Sequence, residues 1–526
     1  MESVTTESYD DILYPSYTHN QTHPDRLAII ARLFAMNPAS VTRCRVLELG
    51  CGNGSNLVPM AFALPDSEFL GIDRAQRPIE TGQEVLQGLA LRNISLRQLD
   101  LLDLPVDLGE FDYVIAHGLY SWVPAKVKDK ILAVCRSHLK PQGVAFISYN
   151  AYPGGHVRDM LREMMLFHVR SLSEPQQRIN QSIALLKFLA DSHTHVDTYT
   201  AFIQEEIKQT LELDQSNLYH DQLGSINTPV YFHQFVEHAA EHGLQFLAEA
   251  DFFELQYHIY PPETVALLGR MAAESVILKE QYLDFLKCRR FRQTLLCHSG
   301  VAVDPQPKSR LLQELYIAST ARPTANYSDL SSKDVAEFAG PRGATVATDY
   351  PLAKAALAHL GQIYPRSIRF SDLLGVARSQ TGPDEPENEG AQDGAQVLAD
   401  ILLHTYATGM LELFPRAPDY TTQVSERPSA SPLARWQIAR GTIVTNMRHI
   451  NVEVEDELGR HLLALLDGTR NREKILDDLR AIVGSGRALL QENDEPVHDP
   501  DRAREILANG LEKNLDKLAQ LALLVS

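Results

Sequence analysis

The sequence predicts an α/β protein whose centre is a doubly wound, mostly parallel sheet. Two observations lead to this prediction. Short apolar strand signals alternate with helical segments between residues 45 and 149, and a glycine-rich turn directly follows the first strand. Strands that alternate with helices are typical of a parallel sheet with helices on both faces.

The first part of the chain supplies five predicted strands. They are short apolar runs at residues 45–50, 68–73, 94–100, 111–116 and 144–149. The helical segments between them lie at residues 55–64, 78–91 and 126–139. A Lys-Pro-Gln-Gly sequence at residues 140–143 ends the last of these helices.

The alternation stops after residue 149. Three helical segments follow without an intervening strand, at residues 157–169, 176–191 and 198–212. Residues 155–226 are therefore predicted to form a helical insertion folded over the strand tips, a position from which it could cover or select a substrate. A separate helical domain followed by a hairpin is the alternative.

The sheet is predicted to continue after this insertion. A helix at residues 231–242 ends at Gly243, a typical C-cap residue. Two adjacent strands at residues 244–250 and 252–260 then complete the sheet.

From about residue 262 the chain is predicted to be largely helical. The segment 379–395 is rich in proline, glycine and acidic residues and is expected to be a mobile loop. After it, helical segments and a short extended run at residues 409–414, a candidate β-wing, give a winged-helix-like pattern.

Composition narrows the classes of partner. The 526 residues include 68 acidic and 49 basic side chains, a net charge of −19, which disfavours nucleic acid and anionic lipid as partners. No secretory signal and no apolar run long enough to span a membrane are present, so a cytoplasmic protein without integral membrane contact is expected. The five cysteines are scattered without C-x-x-C spacing, which predicts neither disulfides nor a metal site.

The glycine turn and the acidic residues at the strand ends predict a ligand that contains a nucleoside. Gly50, Gly52 and Gly54 allow a tight turn and close approach of a ligand to the backbone, and Ser55 stands where a dinucleotide fingerprint would have its third glycine. Asp73, at the end of the second strand, could accept hydrogen bonds from both hydroxyls of a ribose. Asp100, at the end of the third strand, could accept a hydrogen bond from an adenine amino group.

The rest of the ligand is predicted to carry a positive charge. This segment has no cationic clamp for a pyrophosphate, whereas Glu48 and nearby aromatic side chains suit a cation such as the sulfonium of S-adenosylmethionine. Backbone N–H groups of the glycine turn would hold its carboxylate. The alternatives are that Glu48 is a solvated strand residue, Asp73 a helix N-cap and Asp100 a turn residue.

Longer strings resemble a known family. ELGCGNGSN at residues 48–56, GID at 71–73 and QLDLLDLP at 98–105 resemble class I S-adenosylmethionine-dependent methyltransferases, which have a Rossmann-like sheet. Further strings resemble the members that carry a methyltransferase regulatory domain, of which the best known are bacterial lysine methyltransferases of outer-membrane proteins. These strings are THPDRLAIIARLF at 22–34, HGLYSWVP at 117–124, YNAYPGGHVRDMLREMMLFH at 149–168, the regulatory segment at 218–250, EQYLDFLKCRRFRQTLLCH at 280–298 and RGTIVTNMRH at 440–449.

The resemblance implies S-adenosyl-L-methionine as cofactor and a set of contacts to it. The implied cofactor-binding residues are Glu48, Gly50, Gly52, Asn53, Asn56, Asp73, Asp100, Leu101 and His117, together with Tyr17 in an N-terminal segment expected to fold over the cofactor. Two positions depart from the family pattern: Asn53 stands where many relatives have aspartate, and Gly155 where many have tryptophan.

The resemblance also implies a division into five units. They are a cofactor-binding methyltransferase domain at 1–154, the helical insertion or regulatory region at 155–226, the last helix and strands of the sheet at 227–262, a helical middle domain at 263–365 and a winged-helix-like domain at 366–526.

Methyl transfer is an in-line displacement, and positioning of the reactants and exclusion of water can supply most of the catalysis. An aromatic site would favour the neutral amine of a lysine acceptor. The predicted acceptor pocket follows the fourth and fifth strands and consists of Tyr120, Trp122, Tyr149 and Tyr152, with packing in the core as the alternative for each of them. His117 is predicted either to accept a proton or to make a structural hydrogen bond.

The leading interpretation is a protein-lysine N-methyltransferase that acts on a protein with an accessible lysine. A small-molecule methyltransferase whose extra domains mediate dimerisation is the first alternative, so a homodimer stays open. A cofactor-binding regulatory protein without catalysis is the second. Arg289, Arg290 and Arg292 form a basic cluster that is either a solvated helix face or a contact for an acidic loop or another domain.

Overall fold

The computed structural model describes residues 17–525 except 106, 193–196, 328, 382–392, 493–494 and 498, and of the first sixteen residues only Ile12 and Tyr14. The predicted mobile loop at 379–395 lies mostly outside the described residues. No helix in the described part of the chain has the length and apolarity that crossing a bilayer requires.

A seven-stranded sheet organises the molecule, and the predicted α/β fold is confirmed. Its strands, in chain order, are β1 Arg45–Leu49, β2 Glu68–Asp73, β3 Ile94–Gln98, β4 Phe111–Ala116, β5 Leu139–Asn150, β6 Leu244–Glu249 and β7 Phe291–His298. The spatial order is β3-β2-β1-β4-β5-β7-β6, with β1 to β5 parallel and β7 antiparallel to both neighbours. The order reverses at β1, where an open α/β sheet forms its ligand crevice.

Helices cover both faces of this sheet, so its central strands are buried on both sides. All six residues of β4 are buried, as expected for a continuous apolar run at the centre of a parallel sheet. The covering helices are α1 Pro24–Leu33, α2 Leu57–Ala63, α3 Gln76–Gly88, α4 Ala125–His138 and α9 Phe232–Glu241. Helix α4 turns Ile131, Leu132 and Cys135 inward, the spacing of one helix face.

The end of the sheet differs from the sequence prediction. The predicted strand at 252–260 is wrong: Phe252–Leu255 forms a 3-10 helix because Phe252 and Leu255, three residues apart, are both buried, and Asp251 caps the turn. The last strand is instead β7, which lies beyond the predicted end of the sheet at residue 262. Helices α10 Pro262–Glu274 and α11 Val276–Lys287 separate β6 from β7.

The predicted helical insertion is present between β5 and α9. Its helices are α5 Gly155–His168, α6 Pro175–Asp191, α7 Thr198–Leu211 and the short α8 Gln215–Asn217, which continues into a π-helical turn, Leu218–Gln222. They share an apolar core of their own that includes Leu161, Met165 and Ile207.

The middle region, residues 316–414, predicted as a helical domain up to residue 365 and a winged-helix-like domain beyond it, combines helices with two small three-stranded sheets. One sheet contains β9 Arg322–Pro323, β10 Ala336–Ala339 and β11 Thr345–Thr348, and the other β8 Tyr316–Ser319, β12 Ile368–Arg369 and β13 Leu411–Phe414. The helices are α12 Pro351–Ile363, α13 Phe370–Thr381 and α14 Gly394–Ala407. Strands of two to four residues are too short to show an alternating pattern in the sequence.

The C-terminal region forms a separate apolar core. Its elements are α15 Pro432–Ile438, β14 Ile443–Thr445, β15 Asn451–Glu453, α16 Glu457–Leu465, α17 Arg472–Gly484, the short pair β16 Gln491–Glu492 and β17 Glu495–Pro496, and α18 Pro500–Gln520. β14 and β15 pair as an antiparallel hairpin, and the loop between them, residues 446–450, is here called the wing loop. The run at 409–414, predicted as a β-wing, instead pairs as β13 with β8 of the middle region.

Candidate active site

The glycine turn between β1 and α2 forms a cradle at the switch point of the sheet. Gly50, Gly52 and Gly54 have φ values of 73°, 54° and 75°, a left-handed conformation that glycine adopts without a steric penalty. The turn also packs closely on α3: a Cβ on Gly82 would lie 2.4 Å from the carbonyl oxygen of Asn53. The Asn53 side chain stabilises the turn, since its Oδ1 accepts a hydrogen bond from the Ser55 N–H at 3.0 Å.

Glu48, at the end of β1, is buried directly below this turn. Its Oε1 accepts a 2.8 Å hydrogen bond from Asn56 Nδ2, whereas its Oε2 is buried without a hydrogen-bond partner in the described part of the chain. Burial raises the pKa of Glu48 to about 8, although the hydrogen bond from Asn56 opposes this shift. The site therefore contains an incompletely satisfied carboxyl group that a cationic ligand would stabilise.

Asp73 is oriented by two backbone groups at the end of β2. Its Oδ2 accepts from the Gly52 N–H and its Oδ1 from the Ala75 N–H, both at 2.8 Å. These bonds join the glycine turn to the second strand. A carboxylate oxygen can accept more than one hydrogen bond, so this orientation is compatible with a bound diol.

Asp100 caps the short 3-10 helix that follows β3. Its Oδ1 accepts from the Leu102 N–H at 3.0 Å, and its Oδ2 lies 3.5 Å from Arg74 Nε. Leu101 is buried next to it. The carboxylate is therefore fixed at the edge of the crevice, close to a chain segment that offers an apolar surface.

Residues 17–23, here called the strap, run across the glycine turn. The His19 N–H donates to Asn56 Oδ1 at 2.9 Å, Asn56 Nδ2 donates to the Thr22 hydroxyl at 2.9 Å, and the Ser55 hydroxyl donates to the Tyr17 carbonyl at 3.4 Å. The strap therefore lies against the glycine turn, and its predicted contact with the cofactor stays a prediction.

The insertion contacts the residues that precede the strap. His220 Nε2 lies 2.7 Å from the Ile12 carbonyl oxygen, and the Tyr14 hydroxyl donates to Asp221 Oδ1 at 3.4 Å.

Burial raises the pKa of Tyr17, and the carboxylates of Asp214 and Glu453 add to this effect.

The C-terminal domain also reaches the site, which the sequence did not predict. His449, between β14 and β15, places its Nε2 3.1 Å from Asn56 Oδ1. Asn451 accepts a 3.2 Å hydrogen bond from the Thr18 N–H and donates to the Thr18 carbonyl at 3.2 Å. The wing loop of the C-terminal domain thus holds both the strap and the first turn after the glycine motif.

His117 lies under the strap, just after β4. Its Nδ1 is 3.0 Å from the Ser148 hydroxyl, and its ring lies 3.8 Å, between centroids, from that of His19. Burial lowers the pKa of His117 well below its ordinary value and lowers the pKa of His19 to about 4. Both imidazoles are therefore neutral near pH 7.

Two of the predicted pocket aromatics lie in the core of the sheet. Tyr120 is 3% exposed, with its hydroxyl 2.8 Å from His238 Nδ1, and Tyr149 is 1% exposed, with its hydroxyl 3.0 Å from the Thr294 hydroxyl. Both rings pack on Phe235 of α9. The structure does not bring them to an open pocket, so we assign them to packing. On β5, Tyr149 faces α9, whereas Ser148 and Phe146 face His117.

Tyr152 lies in a polar network just beyond the end of β5. Its hydroxyl donates to Asp159 Oδ2 at 3.3 Å, and its ring stacks on His156 at 3.9 Å. Asn227 Nδ2 donates to Asp159 Oδ1 at 3.2 Å, and Asn150 Nδ2 donates to Asn227 Oδ1 at 2.8 Å. The network joins the end of β5 to both ends of the insertion.

Trp122 and Gly155 border the same region. Trp122 is half-buried in a 3-10 helix that follows β4. Gly155 is buried at the start of α5, and a Cβ at this position would lie 3.1 Å from both Tyr152 and Pro229. A large side chain at residue 155 would therefore require these neighbours to move.

The basic cluster at the start of β7 is internal, and the interpretation as a solvated helix face is wrong. Arg292 is 1% exposed and donates to three carboxylates, at 2.6 Å to Glu249, 2.8 Å to Asp284 and 3.2 Å to Glu280. Arg290 donates to Glu206 on α7 of the insertion, so the cluster does contact another unit of the same chain.

Three family models match the chain. A methyltransferase domain matches residues 46–143, a predicted methyltransferase regulatory domain matches residues 214–298, and the C-terminal winged helix domain of PKMT, protein lysine methyltransferase, matches residues 426–523. The regulatory match begins near the end of the insertion and runs through β7. It therefore includes β6 and β7, whose antiparallel pairing lies at one edge of the sheet.

Similar proteins match over almost the whole length. The structure of PKMT2 from Rickettsia typhi in complex with AdoHcy is 30% identical, with a TM-score of 0.85, and the match covers 98% of this chain and all of that chain. An uncharacterised protein of Rickettsia prowazekii is 29% identical over 98% of this chain and 93% of its own length. A second one is 42% identical over 44% of this chain and 93% of its own length.

The fold and the glycine-turn site define a class I S-adenosylmethionine-dependent methyltransferase. The chain belongs to the family of these enzymes that adds a regulatory domain and a PKMT winged helix domain to the methyltransferase sheet, the family that includes PKMT2. Its cofactor is S-adenosyl-L-methionine. The buried Glu48 and the oriented Asp73 fit this cofactor, since it carries both positive charge and a ribose diol.

Proposed function

We propose that the protein is a protein-lysine N-methyltransferase. The observation that carries the proposal is the match to PKMT2 across all of that chain, including the accessory regions outside the methyltransferase sheet. Accessory regions that reach the cofactor crevice, as the wing loop does through His449, suit an enzyme whose acceptor is part of a macromolecule.

The cofactor would bind in the crevice at the carboxyl ends of β1 to β3. Asp73 would accept the ribose hydroxyls, Asp100 and Leu101 would hold the adenine, and the unpartnered Oε2 of Glu48 would receive the ammonium group. The remaining proposed contacts come from the glycine turn and the strap, namely Gly50, Gly52, Asn53, Asn56, Tyr17 and His117.

His117 would act as a neutral hydrogen-bonding group beside the cofactor. Its lowered pKa keeps the imidazole uncharged, which avoids repulsion of the sulfonium. The contact with Ser148 fixes the orientation of the ring.

The acceptor lysine would enter beside Tyr152 and Trp122. Asp159, held by Tyr152 and Asn227, offers a carboxylate to the incoming ammonium group. The ammonium group would first release a proton to water. The nitrogen lone pair would then attack the methyl carbon of the cofactor while the carbon–sulfur bond breaks with its electrons on sulfur. Positioning opposite the sulfur is the main catalytic contribution.

Labelled cofactor tests this proposal. Wild-type protein, Asp73→Ala and Asp66→Ala are incubated with methyl-labelled S-adenosylmethionine and a cell-envelope extract, and hydrolysed protein is analysed for methylated lysine. Asp66 is exposed before β2 and serves as the matched control. We expect labelled lysine with the wild type and Asp66→Ala and at least a hundredfold less with Asp73→Ala. Label confined to small molecules would favour the small-molecule alternative, and label absent from every fraction would refute methyl transfer to either class.

A homodimer and the exclusion of nucleic acid remain predictions from the sequence. Size-exclusion chromatography with light scattering tests the first. A duplex-DNA shift assay at physiological ionic strength tests the second.

A further inference from the structure

A cluster of two histidines and one aspartate lies on the face of the sheet that α4 and α9 cover. His238 and His242 are one turn apart on α9 and at its C-terminus, and Asp129 projects from α4. One potential ligand atom from each residue lies within 4.8 Å of the other two. None of the three is needed for the cofactor site described above.

The distances within the cluster match a metal coordination shell. Asp129 Oδ1 lies 3.0 Å from His242 Nε2 and 3.7 Å from His238 Nε2. Two ligand atoms that are each about 2.0–2.1 Å from a zinc ion at a tetrahedral angle are about 3.3 Å apart. Both distances from the carboxylate oxygen are therefore within a few tenths of an ångström of this spacing, and the ligand atoms of all three residues lie within 4.8 Å of one another.

The chemistry of the donors favours a borderline transition-metal cation. Two imidazole nitrogens with one carboxylate oxygen are a typical ligand set for Zn²⁺ in sites that keep a fourth position for water. Histidines at positions i and i+4 of a helix present both rings on one face. Mg²⁺ and Ca²⁺ prefer oxygen ligands and suit this set poorly.

A second observation, independent of the spacing, supports the site. The Tyr120 hydroxyl lies 2.8 Å from His238 Nδ1, so Nε2 is the nitrogen of this ring that remains to bind a metal. A hydrogen bond of this kind on the second nitrogen is characteristic of metal-binding histidines. Tyr120 is 3% exposed, which holds the ring of His238 in a fixed orientation.

The accessibility of the cluster also suits an exchangeable ion. The side chain of Asp129 is 63% exposed, while those of His238 and His242 are 25% and 18% exposed. The histidines are therefore held by the fold, and the carboxylate can close on an ion from solvent. We propose that Asp129, His238 and His242 bind one Zn²⁺-like divalent cation, which cross-links α4 to α9.

Cobalt and zinc binding to the full-length protein test this proposal. The protein is stripped with chelator and dialysed, then titrated with Co²⁺, followed by Zn²⁺. We expect one equivalent of Co²⁺ to produce visible absorption bands of a low-coordinate site and Zn²⁺ to displace it. We also expect Zn²⁺ to raise the melting temperature. Anomalous scattering at the zinc edge locates the ion.

Variants make the assignment specific. His238→Ala and Asp129→Asn should weaken Zn²⁺ binding by at least about tenfold, the scale on which even indirect partners of a metal act. Because Asp129 is largely exposed, Asp129→Asn should fold normally even if the histidine variant does not. His168→Ala, an exposed residue at the end of α5, is the matched control and should bind like the wild type. Absence of one-equivalent binding, or equal affinity in Asp129→Asn and the wild type, would refute the site.

Discussion

His449 Nε2 and Asn56 Oδ1 lie 3.1 Å apart, although 393 residues separate the two along the chain. An amide oxygen only accepts hydrogen bonds, so the imidazole is the donor. Asn56 Oδ1 also accepts from the His19 N–H at 2.9 Å. One oxygen at the start of α2 thus collects contacts from the strap and from the C-terminal domain.

We therefore expect His449→Ala to weaken binding of the cofactor. Loss of one buried hydrogen bond costs about 1 kcal/mol, or roughly fivefold in affinity. Calorimetric titration with S-adenosylhomocysteine measures the change. His461→Ala, on α16 of the same domain, is the control and should retain wild-type affinity. Equal affinities of both variants would show that the wing loop does not support the cofactor site.

Glu48 should make stability fall as pH rises. Its folded-state pKa of about 8 exceeds the ordinary value of 4.5, so the folded protein holds a proton that the unfolded chain releases between these values. Relative to Glu48→Gln, the free energy of unfolding of the cofactor-free wild type should fall by up to about 1.4 kcal/mol per pH unit in this window. Urea unfolding at pH 5, 6.5 and 8 measures it. A pH-independent difference between the two proteins would contradict the assignment.

Gly82→Ala should disturb the glycine turn without touching the cofactor. The added Cβ would lie 2.4 Å from the Asn53 carbonyl oxygen, so the turn must move. We expect at least about a tenfold loss of S-adenosylhomocysteine affinity, since a displaced turn loses more than one contact. Gly269→Ala on α10, where a Cβ meets nothing within 4 Å, is the matched control. Unchanged affinity in Gly82→Ala would mean that the turn tolerates this shift.

Arg292→Ala should be strongly destabilising. It would leave the buried carboxylates of Glu249, Glu280 and Asp284 without their shared cation, and breaking a buried ion pair costs about 3–5 kcal/mol. Arg290→Ala, whose side chain is 38% exposed, should cost much less. Urea unfolding compares the two variants. Similar losses in both would argue against the central role of Arg292.

Asp159→Asn should affect the acceptor more than the cofactor. If the carboxylate receives the lysine ammonium, the KM for a protein acceptor should rise by about tenfold, in line with a charged hydrogen bond of 1.5 kcal/mol or more. Affinity for S-adenosylhomocysteine should stay within about twofold of the wild type. Steady-state kinetics and calorimetry separate these effects, and an unchanged KM would remove Asp159 from the acceptor site.

Local patterns in the sequence located the first five strands, because each is an apolar run next to a clear helix or turn. The predicted start of the fifth was wrong, since β5 begins at Leu139 and includes residues 140–143. The same approach failed at β7. Its first residues, Phe291 and Arg292, belong to a basic run of sequence that is typical of an exposed surface. The three carboxylates that neutralise Arg292 come from β6 and α11, so the local sequence does not show that this arginine is buried. Short strands such as β9 and β12, with two residues each, have no pattern to detect.

The residues of the candidate site that follow the ends of strands were also predictable from the sequence. The glycine turn, Glu48, Asp73 and Asp100 are linked by sequence spacing to the ends of strands, and the structure brings them to the crevice. The sequence could not separate Tyr149, which is buried in the core, from Tyr152, which contacts Asp159 beyond the end of β5, because this difference depends on tertiary packing. The contact of His449 depends on tertiary folding alone.

The strap has a consequence for turnover. It makes hydrogen bonds to Asn56 and Ser55 of the methyltransferase domain and to Asn451 of the C-terminal domain, so it connects these two domains. If spent cofactor leaves past residues 17–23, each cycle must separate the wing from the amino-terminal segment before a fresh methyl donor can enter. We therefore expect changes in the C-terminal domain to alter the rate of product release more than the rate of methyl transfer.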